Sequence, residues 1–392
     1  LDKAVLDYEE AIRLNPRFAK PYYNRGLAYG RKGDFDKAIA DYTEAMRLDP
    51  KLAEAYYGRG SAYVGKGDYD KAISDYTEAM RLNPRYAEAY CGRGSAYVRK
   101  RDCDKAIADY NEAIRLNPKD AVAYCNRGIA YSRKGDFDKA IDDYTEAIRL
   151  DPKDAEAYYN RGVDYWSKGD YDKAIADCTE AIRLNPKLAE AYAGRGCACV
   201  EKGDYDKAIS DYTESIRLNP RYAPYCGRGS AYVRKGDYDK AIADYTESIR
   251  LNPRYAEAYC GRGGAYVRKR DCDKAIADFT EAIRLNPRYA EAYCGRGGAY
   301  VRKRDCDKAI ADFTEAIRLN PRYAEAYCGR GGAYVRKRDC DKAIADFTEA
   351  IRLNPQYAEA YYGRGYSYRQ KGETAKAKAD FTQARILGYK GK

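Results

Sequence analysis

An Asn-Pro or Asp-Pro pair returns along the whole chain with a fixed period, at Pro16, Pro50, Pro84, Pro118, Pro152, Pro186, Pro220, Pro253, Pro287, Pro321 and Pro355. Nine of the ten intervals are 34 residues, and one is 33 because the stretch 221–226 lacks a residue that its neighbours carry. A chain copied from one short unit reads as a single stacked array, not as the two or three domains that 392 residues allow. Units counted from three residues after each proline begin near 19, 53, 87, 121, 155, 189, 223, 256, 290, 324 and 358, which makes eleven. Residues 1–18 read as the second half of an incomplete unit.

Each unit predicts two helices. In the first, near Ala19–Lys32, Tyr22, Gly26 and Tyr29 follow one another at spacings of four and three and share a face. Gly33 breaks this helix and Asp34 caps the next, with Asp36 placed at its positive end. The second helix carries Ala38, Ile39, Tyr42, Ala45, Met46 and Leu48 on its apolar side. Asn/Asp-Pro then stops it, because the residue before proline is pushed out of the helical region. Gly26 and the alanines are small where helices approach closely, and Tyr fills the gaps. One hairpin leaves a face bare, so stability must come from stacking neighbours.

The run Tyr22-x2-Arg25-Gly26-x2-Tyr29…Ala38-x3-Tyr42…Pro50 resembles the tetratricopeptide repeat, whose signature places Trp, Leu, Gly, Tyr, Ala, Phe and Pro at these spacings. The resemblance covers the whole chain. Two departures recur: Tyr replaces the first Trp, and Arg replaces the Leu, as at Arg25, Arg59 and Arg93. It implies an all-α fold, a right-handed α-solenoid (superhelix) of helix-turn-helix repeats, whose first helices line a concave groove for protein or peptide partners. Carried over by position, that lining is Lys20, Tyr23, Asn24, Leu27, Gly30 and Arg31 in the first unit. Glu54, Tyr57, Ser61 and Val64 follow in the second, then Glu88, Cys91, Ser95, Val98 and Arg99 in the third. Some family members clamp a carboxylate terminus with Lys and Asn residues. Asn24, Asn126 and Asn160 match one Asn of such a clamp, but its lysines would fall on Tyr, Cys or Glu, so that ligand is disfavoured.

The chain contains no His, which removes Ser-His and Cys-His nucleophiles, His-metal sites and imidazole relays. The carboxylates read as helix-surface or capping groups, and no phosphate-binding glycine loop occurs. No catalytic residue, metal or cofactor is expected. No stretch has the roughly 18 apolar residues of a membrane span.

The net charge of +11 is concentrated in four units with the run Val-Arg-Lys-Arg-Asp-Cys-Asp, which starts at Val98, Val267, Val301 and Val335. Here Arg101, Arg270, Arg304 and Arg338 take the turn position that is Gly in the other units. That substitution costs about 1 kcal/mol if the turn needs a positive φ. Such turns read either as a solvated edge multiplied by duplication or as an edge that meets an acidic protein or polyanion. Nucleic acid is disfavoured, since the basic residues alternate with Asp and Glu. The Arg that replaces Leu pairs in number with an Asp sixteen residues later, Arg25 with Asp41 and onward to Arg364 with Asp380. A ladder of ion pairs between helices is the simpler reading; a row of cations for an acidic ligand is the other.

Of the 13 Cys, six (Cys91, Cys125, Cys226, Cys260, Cys294, Cys328) share one place on the first helix and four (Cys103, Cys272, Cys306, Cys340) the start of the second. Equivalent cysteines in adjacent units should stand about 10 Å apart, beyond disulfide reach. They read as small packing residues held reduced, which leans towards a cytoplasmic setting; a cross-linked filament is the alternative. The chain starts at Leu1, so an N-terminal targeting segment would not be visible.

Ala155–Leu188 and the unit after it depart from the pattern: Asp164 replaces Ala, Trp166 is the sole Trp, and Cys178 and Cys199 replace aromatics. Either the array has drifted there or Trp166 anchors a partner in a mid-array pocket. The copies Arg254–Pro287, Arg288–Pro321 and Arg322–Pro355 are identical at all 34 positions, which suits a repetitive ligand better than one unique peptide. The expected function is a protein-interaction scaffold, with a self-associating fibre as the alternative and polyanion binding through the Arg-Lys-Arg turns behind both. Candidate partner-binding residues are Tyr23, Asn24, Tyr57, Cys91, Asn126, Asn160 and Trp166, with Arg99, Arg268, Arg302 and Arg336.

Overall fold

A computed structural model describes residues 1–220 and 224–389; Arg221, Tyr222 and Ala223, where the shortened copy lacks its residue, and Lys390–Lys392 lie outside the described residues. The described residues form 23 helices and no strand. They fall into two compact units, 1–198 and 199–392, with the division inside the helix Ala189–Glu201. Each is an α-solenoid in which helices pack on their neighbours in sequence, as Ala19–Lys32 does on Phe35–Leu48 and Ala290–Arg302 on Cys306–Leu319, and successive first helices also touch.

Local chemistry sets the helix ends. The helix Ala19–Lys32 ends at Gly33, whose φ of 79° is left-handed, and the Asp34 carboxylate accepts a bond from the Lys37 N–H to start Phe35–Leu48. Asp49 is extended before Pro50, and its side chain accepts from the Lys51 N–H at 3.0 Å. The Asx turn thus closes the second helix that proline ends.

Ring-against-glycine contacts make the core. Tyr42 is wedged between Gly26 of its own unit and Gly58 of the next, where a Cβ would meet ring atoms at 2.9 and 2.7 Å. In the second compact unit Phe313 sits in the same way between Gly297 and Gly329, at 3.1 and 2.5 Å. The buried alanines around each ring, such as Ala38, Ala45, Ala309 and Ala316, let the helices close on it.

The Arg-for-Leu substitution is structural. Arg25 forks onto Asp41 through Nε–Oδ2 and Nη2–Oδ1 bonds of 2.8 and 2.7 Å. From the second copy on, the remaining nitrogen reaches the preceding unit: Arg59 Nη1 donates to Thr43 Oγ1 at 3.1 Å. The same fork recurs at Arg93–Asp109, Arg262–Asp278 and Arg364–Asp380, with the Asp buried in each. These cations are occupied in binding three helices together, so the ladder reading holds.

Among the described residues no helix is long and apolar enough to cross a membrane.

Candidate functional site

The first helix of a unit turns Gly26 and Ala28 onto its partners and leaves Tyr23, Leu27 and Arg31 on another face. In residues 1–198 this face forms a pocket of about 240 Å³ that brings Tyr23, Leu27, Arg31 and Phe35 together with Tyr57 and Tyr86. The rings brace one another: Tyr57 lies 5.6 Å from Tyr76 and 5.2 Å from Tyr86, and Tyr23 lies 5.9 Å from Tyr42. Burial pushes the Tyr76 phenol up to about 12, against the opposing bond from Ser61. Of the sequence candidates, Tyr23 and Tyr57 therefore meet, and Asn24 is half-buried outside the lining.

Cys91 donates to Asp120, the cap of the next unit's first helix, at 3.8 Å, and burial followed by that carboxylate raises its pKa to about 12. Cys125 is likewise raised to about 12 by burial, with Asn160 beside it acting the other way. Asn126 is half-buried. Trp166 is 40% exposed on the helix Ala155–Ser167. In residues 199–392, Cys260 is raised to about 11 and Cys294 to about 12 by burial, each beside the Tyr that caps the next unit's first helix, Tyr289 and Tyr323. Cys91, Cys125, Cys260 and Cys294 are free thiols.

The Arg-Lys-Arg turns divide by role. The lysines are neutralised by an Asp of the preceding unit: Lys269 by Asp239, Lys303 by Asp273 and Lys337 by Asp307. Arg101, Arg270, Arg304 and Arg338 do take a positive φ, between 62° and 66°. Arg99, Arg268, Arg302 and Arg336 are exposed, and among the described residues they hold no ion pair.

Two features escaped sequence reasoning. The crosswise Lys–Asp pairs link residues 30 apart and depend on how units stack, which a period does not encode. Asp164 is 1% exposed, and its Oδ1 accepts a 2.7 Å bond from Ser132 of the preceding unit while Oδ2 has no partner. Its signal was present: ten of the eleven units carry Ala or Ser at this place. Among the described residues no group of three or more Cys, Asp or Glu side chains is arranged to hold a metal ion.

A family profile described as "Tetratricopeptide repeat" matches residues 57–121, 125–189, 262–324, 294–339 and 328–388. Further profiles, described as "TPR repeat" and "Tetratricopeptide repeat", match 1–33 and 229–270, and 19–52 and 189–222. No curated protein matches the chain. Among solved structures, the APC/C hetero-tetramer Cut9-Hcn1 is similar at 16% identity and a TM-score of 0.56, over 99% of this chain and 90% of that one. At that identity the likeness is one of fold. Yeast Tom70 aligns at 18% identity and a TM-score of 0.48, over 94% of this chain and 92% of its own. The TPR protein YrrB aligns at 29% and 0.40, over 47% of this chain and 95% of its own.

Proposed function

The chain belongs to the tetratricopeptide repeat family of protein-interaction scaffolds, and from that premise we propose that its first-helix face takes up partner segments. The copies from 254 to 355 select acidic, repetitive ones. The observation that carries this reading is the row Arg268, Arg302 and Arg336, exposed and without ion pairs among the described residues, in three identical copies. Like charges repeated about 10 Å apart repel one another at a distance comparable to the screening length. An anionic ligand spanning the row turns that repulsion into attraction, and guanidinium forks match carboxylates closely. A polyproline-type peptide repeats its side-chain direction every three residues, or about 9 Å, which is close to the unit spacing. Acidic residues at every third position would then meet one Arg each, and three weak contacts on one strand reinforce one another.

Fluorescence anisotropy with a labelled peptide bearing Glu at every third position tests the reading. The R268A/R302A/R336A variant should bind at least about tenfold more weakly, a loss of about 1.4 kcal/mol. Equal binding of a peptide with the same Glu residues clustered at one end would overturn the spacing argument. Tighter binding of single-stranded DNA than of the peptide would overturn the choice of partner.

A further inference from the structure

We propose that the pocket between Phe35 and Tyr57 is a separate binding site. It takes one large apolar side chain of a partner peptide, with an acidic residue two positions away paired to Arg31. The site lies within residues 1–198 and does not rest on the arginine row discussed above.

Size sets the first limit. At about 240 Å³ the pocket is smaller than the range of about 300–1,000 Å³ usual for drug-sized ligands, so it suits a single side chain. Its walls are fixed rather than collapsible. The Phe35 ring leans into the next unit, where Gly65 leaves room: a Cβ there would stand 2.5 Å from the ring. In the other ten units that place is Arg, Ser, Glu or Gln, so this seating of the Phe35 ring against Gly65 is particular to this pair. The opposite wall, Tyr57, is held by Tyr76 and Tyr86.

Polarity sets the second limit. The exposed Ser61 in the lining already engages the Tyr57 carbonyl and the Tyr76 hydroxyl, at 3.0 and 3.1 Å. Aromatic residues and Leu27 make most of the lining, so a large apolar side chain gains the most there, with the Tyr42 hydroxyl near Gly30 as one polar point on the wall. The mouth is charged, and unevenly. Arg31 is exposed and has no ion pair among the described residues, whereas the charges of Glu54 and Glu88 act on Tyr86. A carboxylate is attracted to Arg31 and repelled by Glu54 and Glu88. In an extended peptide, residues two apart project to the same face about 7 Å from each other, so one side chain fills the pocket while the next on that face reaches Arg31.

The test is ligand-observed NMR on the full chain with acetylated, amidated Ala-Phe-Ala-Asp-Ala at up to millimolar concentration. Saturation transfer to the Phe ring is expected. Arg31→Glu should weaken it at least about tenfold, a peptide with Lys for Asp should do the same, and R268A/R302A/R336A should leave it unchanged. Gly30→Phe projects into the pocket, where a new Cβ would stand 3.9 Å from the Tyr42 hydroxyl, and should abolish the signal. No transfer to the wild-type chain overturns the proposal, as does equal binding by the Lys peptide or by Arg31→Glu. Should Gly30→Phe not fold, by circular dichroism, the charge reversals decide alone.

Discussion

Ser132 Oγ donates a 2.7 Å bond to Asp164 Oδ1, and the second oxygen of this buried carboxylate is left without a partner. Burial lifts the Asp164 pKa from 3.8 to about 6, while the Ser132 bond pulls the other way. The folded chain thus holds the proton more tightly than the unfolded chain does. The associated stability is complete below about pH 4 and is lost as pH rises through about 6, up to about 3 kcal/mol in all. Asp164→Ala restores the residue found at Ala96 and Ala130. It should stabilise residues 121–188 at neutral pH and have much less effect near pH 4. Hydrogen-exchange protection within Ala121–Lys134 and Ala155–Ser167 at both pH values, corrected for the intrinsic rates, checks this; a variant that is equally affected at both would remove the carboxylate from the account.

Arg304 holds a φ of 65° in a turn that is Gly in seven other units. A side chain in this region costs about 1 kcal/mol relative to glycine. Arg304→Gly should therefore slow local opening of the turn after Ala290–Arg302 by about fivefold. Hydrogen exchange of the Arg304 and Asp305 amides, which bond the Val301 and Tyr300 carbonyls, reads it directly.

The thiols on the first helices should be inert. With Cys294 raised to about 12 and Cys328 to about 11, each chiefly by burial, very little thiolate exists at pH 8. Alkylation of these two in the folded chain should run at least about a hundredfold slower than in denaturant. Mass spectrometry of timed iodoacetamide reactions measures it. Comparable rates in both states would mean that the helices open far more often than their packing implies.

How much of this was legible beforehand differs by the range of the interaction. Gly33, Asp34 and Asn/Asp-Pro act within one turn of backbone, so the ends of Ala19–Lys32 and Phe35–Leu48 follow from residue type alone. Tyr42 against Gly26 was readable because both sit on faces fixed by the helical period. The wedge of Tyr42 against Gly58, the pocket between Phe35 and Tyr57 and the Lys303–Asp273 pair all depend on the angle between successive hairpins. That angle is set by packing volumes summed over many contacts, and no single spacing carries it. Asp164 stood out as a substitution, yet its meaning needed the position of Ser132 across the unit boundary.

The Arg296–Asp312 pair makes the last prediction, because a buried ion pair is worth different amounts according to how it is removed. Its two bonds are each 2.8 Å, and Arg296 also donates to Thr280 at 3.0 Å. Asp312→Ala strands a guanidinium between helices and should cost about 3–5 kcal/mol. Replacing both partners, Arg296→Leu with Asp312→Ala, installs the Leu of the family signature and removes the stranded charge together with its partner. The double variant should therefore lie well above the single one in stability. Because neighbouring units would mask a local change in a global melt, the comparison belongs to hydrogen exchange within Ala290–Arg302 and Cys306–Leu319. If the double variant were no more stable than Asp312→Ala, the pair would be contributing through its packed side-chain stems and not through its charges, and the ladder would be a steric device.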